Sequence, residues 1–128
     1  MKRISLLLSL LVVLTVPGLG WALEVSEASL TTAIQDRMPV DQVETLPAGV
    51  ATLYCFSRIV GAAEETMVQH VWFWGEAEMA RVELPVRSIN WRTWSSKRIQ
   101  ADWTGSWRVE IQDQFGEVLT TLPFDVNE

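Results

Sequence analysis

The sequence feature that most limits the fold is an alternation of apolar and polar side chains in residues 106–112. Trp107, Val109 and Ile111 share one parity, and Arg108, Glu110 and Gln112 share the other. This alternation is typical of a half-buried β-strand, because successive side chains of a strand point to opposite faces of a sheet. The segment Asp113 to Gly116 follows and ends in glycine, so it predicts a hairpin turn.

Other short segments with strand character recur along the chain, separated by turn residues. The segments 51–60 and 66–74 are dense in aromatic and β-branched residues, 78–84 alternates with period two, and 117–126 completes the hairpin. Pro85 predicts that its strand lies at a sheet edge or ends there, and Pro123 predicts an edge position for the last strand. No segment has the pattern of an amphipathic helix. The sequence therefore predicts an all-β fold, an immunoglobulin-like antiparallel β-sandwich of about seven strands.

Residues 1–22 have the pattern of a secretory signal peptide. Met1 to Arg3 is a basic head, Ile4 to Val16 is an apolar run, and Gly20 and Ala22 provide small residues near a cleavage point. A membrane anchor is the alternative, but an apolar helix of this length rises only about 20 Å, against ~30 Å of hydrocarbon. We expect an exported protein, periplasmic or extracellular, with one domain over residues 23–128 and no stable membrane span after cleavage.

Composition excludes several classes of function. The formal net charge is −6 and no nucleic-acid motif is present, so we expect no nucleic-acid partner. Cys55 is the single cysteine, which excludes an internal disulfide, and its apolar surroundings predict a buried, inert thiol. With one cysteine and one histidine, and no acidic residues at ligand spacing around them, we predict neither a metal site nor a cofactor.

The stretch from Asn90 to Trp107 is the candidate binding segment. It holds four of the seven tryptophans, and no acidic residue occurs between Leu84 and Ala101. Tryptophan faces beside cations can stack on sugars or hold anionic groups, so we expect an anionic glycan or an envelope protein as partner. The alternative is that the tryptophans fill the core. The candidate binding residues are Trp91, Arg92, Trp94, Lys97, Arg98 and Trp103.

Parity divides the tryptophans of this stretch. Trp107 shares its strand face with Val109 and Ile111 and is predicted to be structural. Trp91 and Trp94 are three residues apart, so a strand would direct them to opposite faces, with at most one in the core.

An enzyme built on Cys55 and His70 is the competing hypothesis. The two residues flank the turn at Gly61 and could lie opposite each other if their strands form a hairpin. No glycine-rich elbow or helix N-terminus accompanies Cys55 to lower its pKa, so we predict no catalytic residues. Ser95 and Ser96 precede a lysine without a known serine–lysine spacing, and we interpret them as turn or capping residues.

Five segments together resemble a known family. They are Leu53-Tyr54-Cys55-Phe56, His70-Val71-Trp72, Arg81-Val82-Glu83-Leu84-Pro85-Val86, Arg92-Thr93-Trp94-Ser95-Ser96-Lys97 and Trp103-Thr104-Gly105-Ser106-Trp107-Arg108-Val109. In this order they resemble a bacterial extracytoplasmic family, the domain of unknown function 2914, roughly from Ala28 to Val126. The resemblance implies an exported or membrane-tethered domain without assigned chemistry. Residues and resemblance together favour a non-catalytic binding module of the cell envelope.

Overall fold

The computed structural model describes residues 22–128, which form β-strands and no helix. The predicted signal peptide, except Ala22, lies outside the described residues, and no helix that could cross a membrane occurs within them. The strands are β1 Glu24–Thr31, β2 Ile34–Gln35, β3 Met38–Pro39, β4 Thr45–Pro47, β5 Ala51–Val60, β6 Thr66–Trp74, β7 Ala77–Val86, β8 Asn90–Ile99, β9 Gly105–Asp113 and β10 Val118–Asn127.

Two packed sheets form a β-sandwich, which confirms the predicted all-β class. One sheet has three strands in the order β1-β5-β8, and the other has five in the order β4-β10-β9-β6-β7. The strands β2 and β3 form a separate two-stranded hairpin. All pairings are antiparallel except that of β4 with β10.

The core lies between the two sheets and consists of the apolar side chains of one parity in each strand. Trp107, Val109 and Ile111 of β9 point inward, as their alternation predicted, and are at most 2% exposed. Trp72 of β6 is fully buried and meets Phe124 of β10 edge to face, with ring centroids 6.4 Å apart. Each such side chain contributes roughly 1.5–3 kcal/mol through its removal from water.

Pro85 lies at a sheet edge as predicted, whereas β10, which contains Pro123, is an edge strand over only part of its length. Pro85 lies in β7, an outermost strand of the five-stranded sheet. Pro123 lies in β10 opposite Arg108 of β9, while β4 covers only the last part of β10, Asp125 to Asn127. The missing N–H of Pro123 therefore costs no ladder hydrogen bond on the uncovered side.

The interpretation of Ser95 and Ser96 as turn residues is wrong. Both lie within β8, a ten-residue strand whose pairing with β5 runs without a break from Asn90 to Ile99. The serines are compatible with a strand because Ser95 has hydrogen-bonding partners in the core and Ser96 is exposed to water.

Candidate functional site

The strand β8 divides the predicted binding residues between two faces of the three-stranded sheet. Ser95 lies opposite Cys55 and points into the core, where it contacts His70 of the other sheet. Trp94 is the neighbour of Ser95 in the same strand, so its side chain points to the opposite face of the sheet. Because the register has no shift, odd-numbered residues of β8 face inward and even-numbered residues face outward.

Three of the candidates, Trp91, Lys97 and Trp103, belong to the inner side. Trp91 and Trp103 pack against the core cluster. The ring of Trp103 lies 6.0 Å from those of Trp74 and Trp107, and Lys97 Nζ lies 5.1 Å from the Trp103 centroid. The indole N–H of Trp107 donates to the Trp103 carbonyl at 2.9 Å. The local role of these residues is packing, with the Lys97 ammonium over the Trp103 ring.

The other three candidates lie on the outer face, together with cationic and aromatic residues of neighbouring strands. Arg92, Trp94 and Arg98 project from β8 beside Arg58 and Tyr54 of β5, since these residues alternate with the inward-pointing set. Phe56, only 1% exposed, lies opposite Trp94. We call this surface the arginine face, and it consists of Arg37, Tyr54, Arg58, Arg92, Trp94 and Arg98.

Arg37 joins the arginine face from the turn between β2 and β3. The guanidinium carbon of Arg37 lies 5.5 Å from the ring centroid of Trp94, within cation–π distance. Asp36 and Arg37 have φ of 54° and 63°. Both central residues of this turn are thus left-handed, a conformation that favours glycine or asparagine. The turn holds a charged side chain in a conformation that costs about 1 kcal/mol or more, as often found at ligand-binding positions.

Asp41 fixes the base of the loop that carries this turn. Its carboxylate accepts hydrogen bonds from the hydroxyls of Thr31 and Thr32, each at 2.6 Å, and from the Thr32 amide at 2.9 Å. The bonds from Thr31 and Thr32 lower the pKa of Asp41. The end of β1 is thereby tied to the residue that follows the β2–β3 hairpin, which limits where Arg37 can lie.

Charge on the arginine face is unbalanced. Arg58 Nε contacts Glu27 at 2.6 Å, and Arg58 also donates to Asn90 at 3.1 Å. Within residues 22–128, no carboxylate lies within 4.0 Å of Arg37, Arg92 or Arg98. The face thus has four arginines and one paired carboxylate, in a chain that is acidic overall.

On the outer face of the five-stranded sheet, by contrast, the arginines are paired with neighbouring side chains. Arg81 donates to Gln69 and Gln112 and forms a two-point contact with Glu78, whose pKa is lowered by these hydrogen bonds. A further arginine, Arg108, contacts Glu110 and lies over a phenylalanine ring. The cations of this face are satisfied by its own side chains, so it offers little free charge to a ligand.

A buried polar cluster joins the two sheets at the centre of the core. His70 is fully buried, and its ring nitrogens lie 3.0 Å from Ser57 Oγ and 2.7 Å from Ser95 Oγ. Trp72 Nε1 also donates to Ser95 Oγ at 3.3 Å. Burial lowers the pKa of His70 to about 4, so the imidazole is neutral at pH 7.

Cys55 and His70 do not have the setting of a nucleophile and its base. Their strands belong to different sheets, and both ring nitrogens of His70 contact serine hydroxyls. Cys55 is fully buried, as predicted, and burial raises the pKa of its thiol. A thiolate nucleophile requires a lowered pKa and access to substrate. No group of three or more potential metal ligands occurs within residues 22–128.

Sequence reasoning missed three members of the arginine face, namely Arg37, Tyr54 and Arg58. For Tyr54 and Arg58 the parity of the predicted strand 51–60 was an available signal, because both have the opposite parity to Cys55. Nothing local marked Arg37, since its place over Trp94 depends on how a distant hairpin folds onto the sheet.

Comparison with known proteins gives a family match over part of the chain and no function. Residues 65–126 match the family described as "Protein of unknown function (DUF2914)". This confirms the resemblance over that range, which includes β8 and Trp103, whereas Arg37, Tyr54 and Arg58 lie before it. No curated protein matches the sequence.

The solved structures that resemble this chain include a β-glucosidase, which is similar over part of its own length. The β-glucosidase from Listeria innocua in complex with glucose has 10% sequence identity and a TM-score of 0.42, over 80% of this chain. The chain spans 16% of that enzyme, and a similarity at this level supports no functional argument.

Proposed function

We propose that this chain, which matches the DUF2914 family over residues 65–126, is a non-catalytic binding module of the bacterial cell envelope. Its arginine face binds an anionic ligand. The observation that carries the proposal is the set of arginines on one sheet face of an acidic chain. Three of them have no carboxylate within 4.0 Å among the described residues. Guanidinium groups form paired hydrogen bonds with carboxylate and phosphate, which makes arginine suited to such ligands.

The shape of the surface favours an extended ligand. Arg92 and Arg98 lie on one strand six residues apart, which corresponds to about 20 Å along the sheet. Two clefts, of about 690 and 550 Å³, lie elsewhere on the domain and contain no residue of the arginine face. A polymer or a protein segment can span this row of cations, so the partner is an anionic glycan or an envelope protein.

Aromatic stacking makes a smaller contribution to the proposal than the sequence suggested. Of the tryptophans predicted to bind, Trp94 alone lies on the arginine face, and Arg37 lies over its ring. A sugar stacking on that side of the ring would first have to displace the guanidinium. Charge therefore carries more of the expected affinity than stacking.

Export supports the assignment to the envelope. The basic head and apolar run of residues 1–22 are the expected secretion signal, and acidic glycans and envelope proteins would be available to an exported domain. Cell fractionation with mass spectrometry of the N-terminus tests this part. We expect an extracytoplasmic protein that begins near Leu23, and a cytoplasmic protein that retains residues 1–22 would contradict it.

Binding to immobilised polygalacturonate and poly-glutamate tests the function itself. We expect the full-length protein to bind at least one of these polymers, with affinity that falls as salt rises. The double variant Arg92→Ala/Arg98→Ala should lose this binding. The control is Arg87→Ala, which removes an exposed cation paired with Glu65 outside the arginine face. Equal loss in the control, or no binding to either polymer, would contradict the proposal.

A further inference from the structure

The free edge of β8 adds a second element to the arginine face. The three-stranded sheet has the order β1-β5-β8, so β8 pairs with β5 on one side and with no other strand of residues 22–128. Its ten residues contain neither proline nor bulge, and the register with β5 is regular throughout. Every second residue of such a strand directs its amide and carbonyl away from the sheet, which is a template for another strand.

We propose that the ligand is an extended acidic peptide segment that adds to β8 as a fourth strand of this sheet. This inference rests on the proposed function, since it names the partner of the arginine face. In strand addition the main chain supplies hydrogen bonds, and alternate side chains supply specificity. The outward side chains of the added strand would lie about 5 Å from those of β8. Carboxylates at these positions would meet Arg92 and Arg98.

Charge determines which strands the edge accepts. Two copies of β8 side by side would bring their arginine rows together, and like charges on neighbouring strands are unfavourable. Lys97, on the inner side of the edge, adds an inward-pointing cation of the kind that keeps apolar strands away. On the outer side, Arg92 and Arg98 attract a strand whose acidic side chains alternate along that face. The edge is thus closed to self-pairing and open to an acidic partner.

The position of Arg37 favours a peptide over a glycan. Its guanidinium lies over the Trp94 ring at 5.5 Å, so a sugar stacking on that side of the ring would have to displace it. A peptide strand that pairs with the edge of β8 does not need access to that side of the Trp94 ring. Its carboxylates would instead approach Arg92 from the edge, while Arg37 stays in place above the neighbouring tryptophan. The contacts in the structure are therefore retained in the complex.

The test uses an eight-residue peptide that alternates glutamate and threonine, together with the same peptide methylated on every backbone nitrogen. The methylated peptide keeps its carboxylates but cannot donate main-chain hydrogen bonds. Affinity for the full-length protein is measured by titration, and amide hydrogen exchange is followed along β8. We expect slower exchange at every second residue of β8, and at least about tenfold weaker binding after methylation, which corresponds to roughly 1.4 kcal/mol.

Charge-reversal variants test whether the peptide binds at the arginine face. Arg92→Glu/Arg98→Glu should abolish peptide binding, while the matched charge reversal Arg87→Glu should leave it unchanged. A peptide that alternates lysine and threonine is the charge control and should not bind. Binding that survives the double reversal, or is lost equally in Arg87→Glu, would overturn the inference.

The remaining outcomes separate this inference from the proposed function. Equal affinity for the methylated and unmethylated peptides would overturn strand addition and leave an anion-binding face. Binding of polygalacturonate without binding of either peptide would overturn the acidic peptide and leave a glycan-binding module. Binding of none of the three probes, and of no poly-glutamate, would overturn both.

Discussion

Arg58 of β5 and Arg92 of β8 lie directly opposite each other on the outer face of the three-stranded sheet. Like charges in this arrangement destabilise a sheet, and Glu27 contacts Arg58 but not Arg92. A neutral or acidic residue at position 92 would remove this repulsion, so we expect Arg92 to lower the stability of the fold. Such a cost in stability is expected where a cation serves binding rather than folding.

The buried His70 predicts a loss of stability in mildly acidic solution. Its pKa is about 4 in the folded protein, against 6.5 for an ordinary histidine. As pH falls below 6.5 the unfolded chain binds a proton before the folded one, so stability decreases until pH reaches about 4. The loss amounts to about 3 kcal/mol.

Urea unfolding at pH 7 and at pH 4.5 measures this loss for the protein and for His70→Gln. Glutamine retains hydrogen-bonding groups but does not titrate, so the variant should lose less stability between the two values. An identical pH dependence in both proteins would show that other groups cause it.

Ser95 should matter more for stability than its neighbour Ser96. Ser95→Ala leaves a nitrogen of His70 and the indole nitrogen of Trp72 without their partner, and each unsatisfied group costs ~1–3 kcal/mol. Ser57→Ala removes a single partner of His70 and should cost less. Ser96→Ala, at an exposed position of the same strand, should change the free energy of unfolding by no more than about 0.5 kcal/mol. Equilibrium denaturation gives all three values. Equal effects of Ser95→Ala and Ser96→Ala would contradict a stabilising role for the buried polar cluster.

Asp41 is expected to support the arginine face by holding the β2–β3 hairpin. Asp41→Asn replaces a carboxylate oxygen that accepts a hydrogen bond from Thr32, so amide exchange at Thr32 should become several-fold faster. Poly-glutamate binding should weaken with it, because Arg37 is held less firmly above Trp94. The exposed Asp102→Asn removes the same charge elsewhere and is the control. Unchanged exchange at Thr32 would show that the hairpin is held by other contacts.

The pKa of Asp41 predicts how its hydrogen bonds with Thr31 and Thr32 depend on pH. Hydrogen bonds from Thr31 and then Thr32 lower this pKa below the ordinary value of 3.8. The carboxylate therefore contributes its stabilisation above pH 3.8, and the contribution is lost as pH falls through the lowered pKa. Exchange at Thr32 should stay slow at pH 5 and lose its dependence on Asp41 only in strongly acidic solution.

The sequence predicted the sandwich and its main strands because side-chain alternation reports directly on burial. The parity of Trp107 in β9 and the opposite parities of Trp91 and Trp94 were confirmed for this reason. The prediction failed at Ser95, because a buried polar side chain needs a hydrogen-bonding partner and the sequence does not show which residue provides it. That partner is His70, 25 residues away in the sequence.

The candidate site was predictable only in part. Parity within β8 separates Arg92, Trp94 and Arg98 from Trp91 and Lys97, but which parity faces water depends on the pairing with β5. Trp103 lies beyond the strand, and its contact with Trp74 joins residues distant in the sequence. The contact of Arg37 with Trp94 likewise depends on tertiary packing, which the local sequence pattern does not reveal.

The free energy of unfolding and the affinity for poly-glutamate of Arg92→Glu, measured together, test the central claim most directly. Glutamate opposite Arg58 replaces a repulsive cross-strand pair with an attractive one, so the variant should gain up to about 1 kcal/mol of stability. It should at the same time lose binding to the polymer, while Arg87→Glu keeps it. A variant that is less stable, or that binds as well as the unaltered protein, would contradict a face on which cations are retained for an anionic ligand.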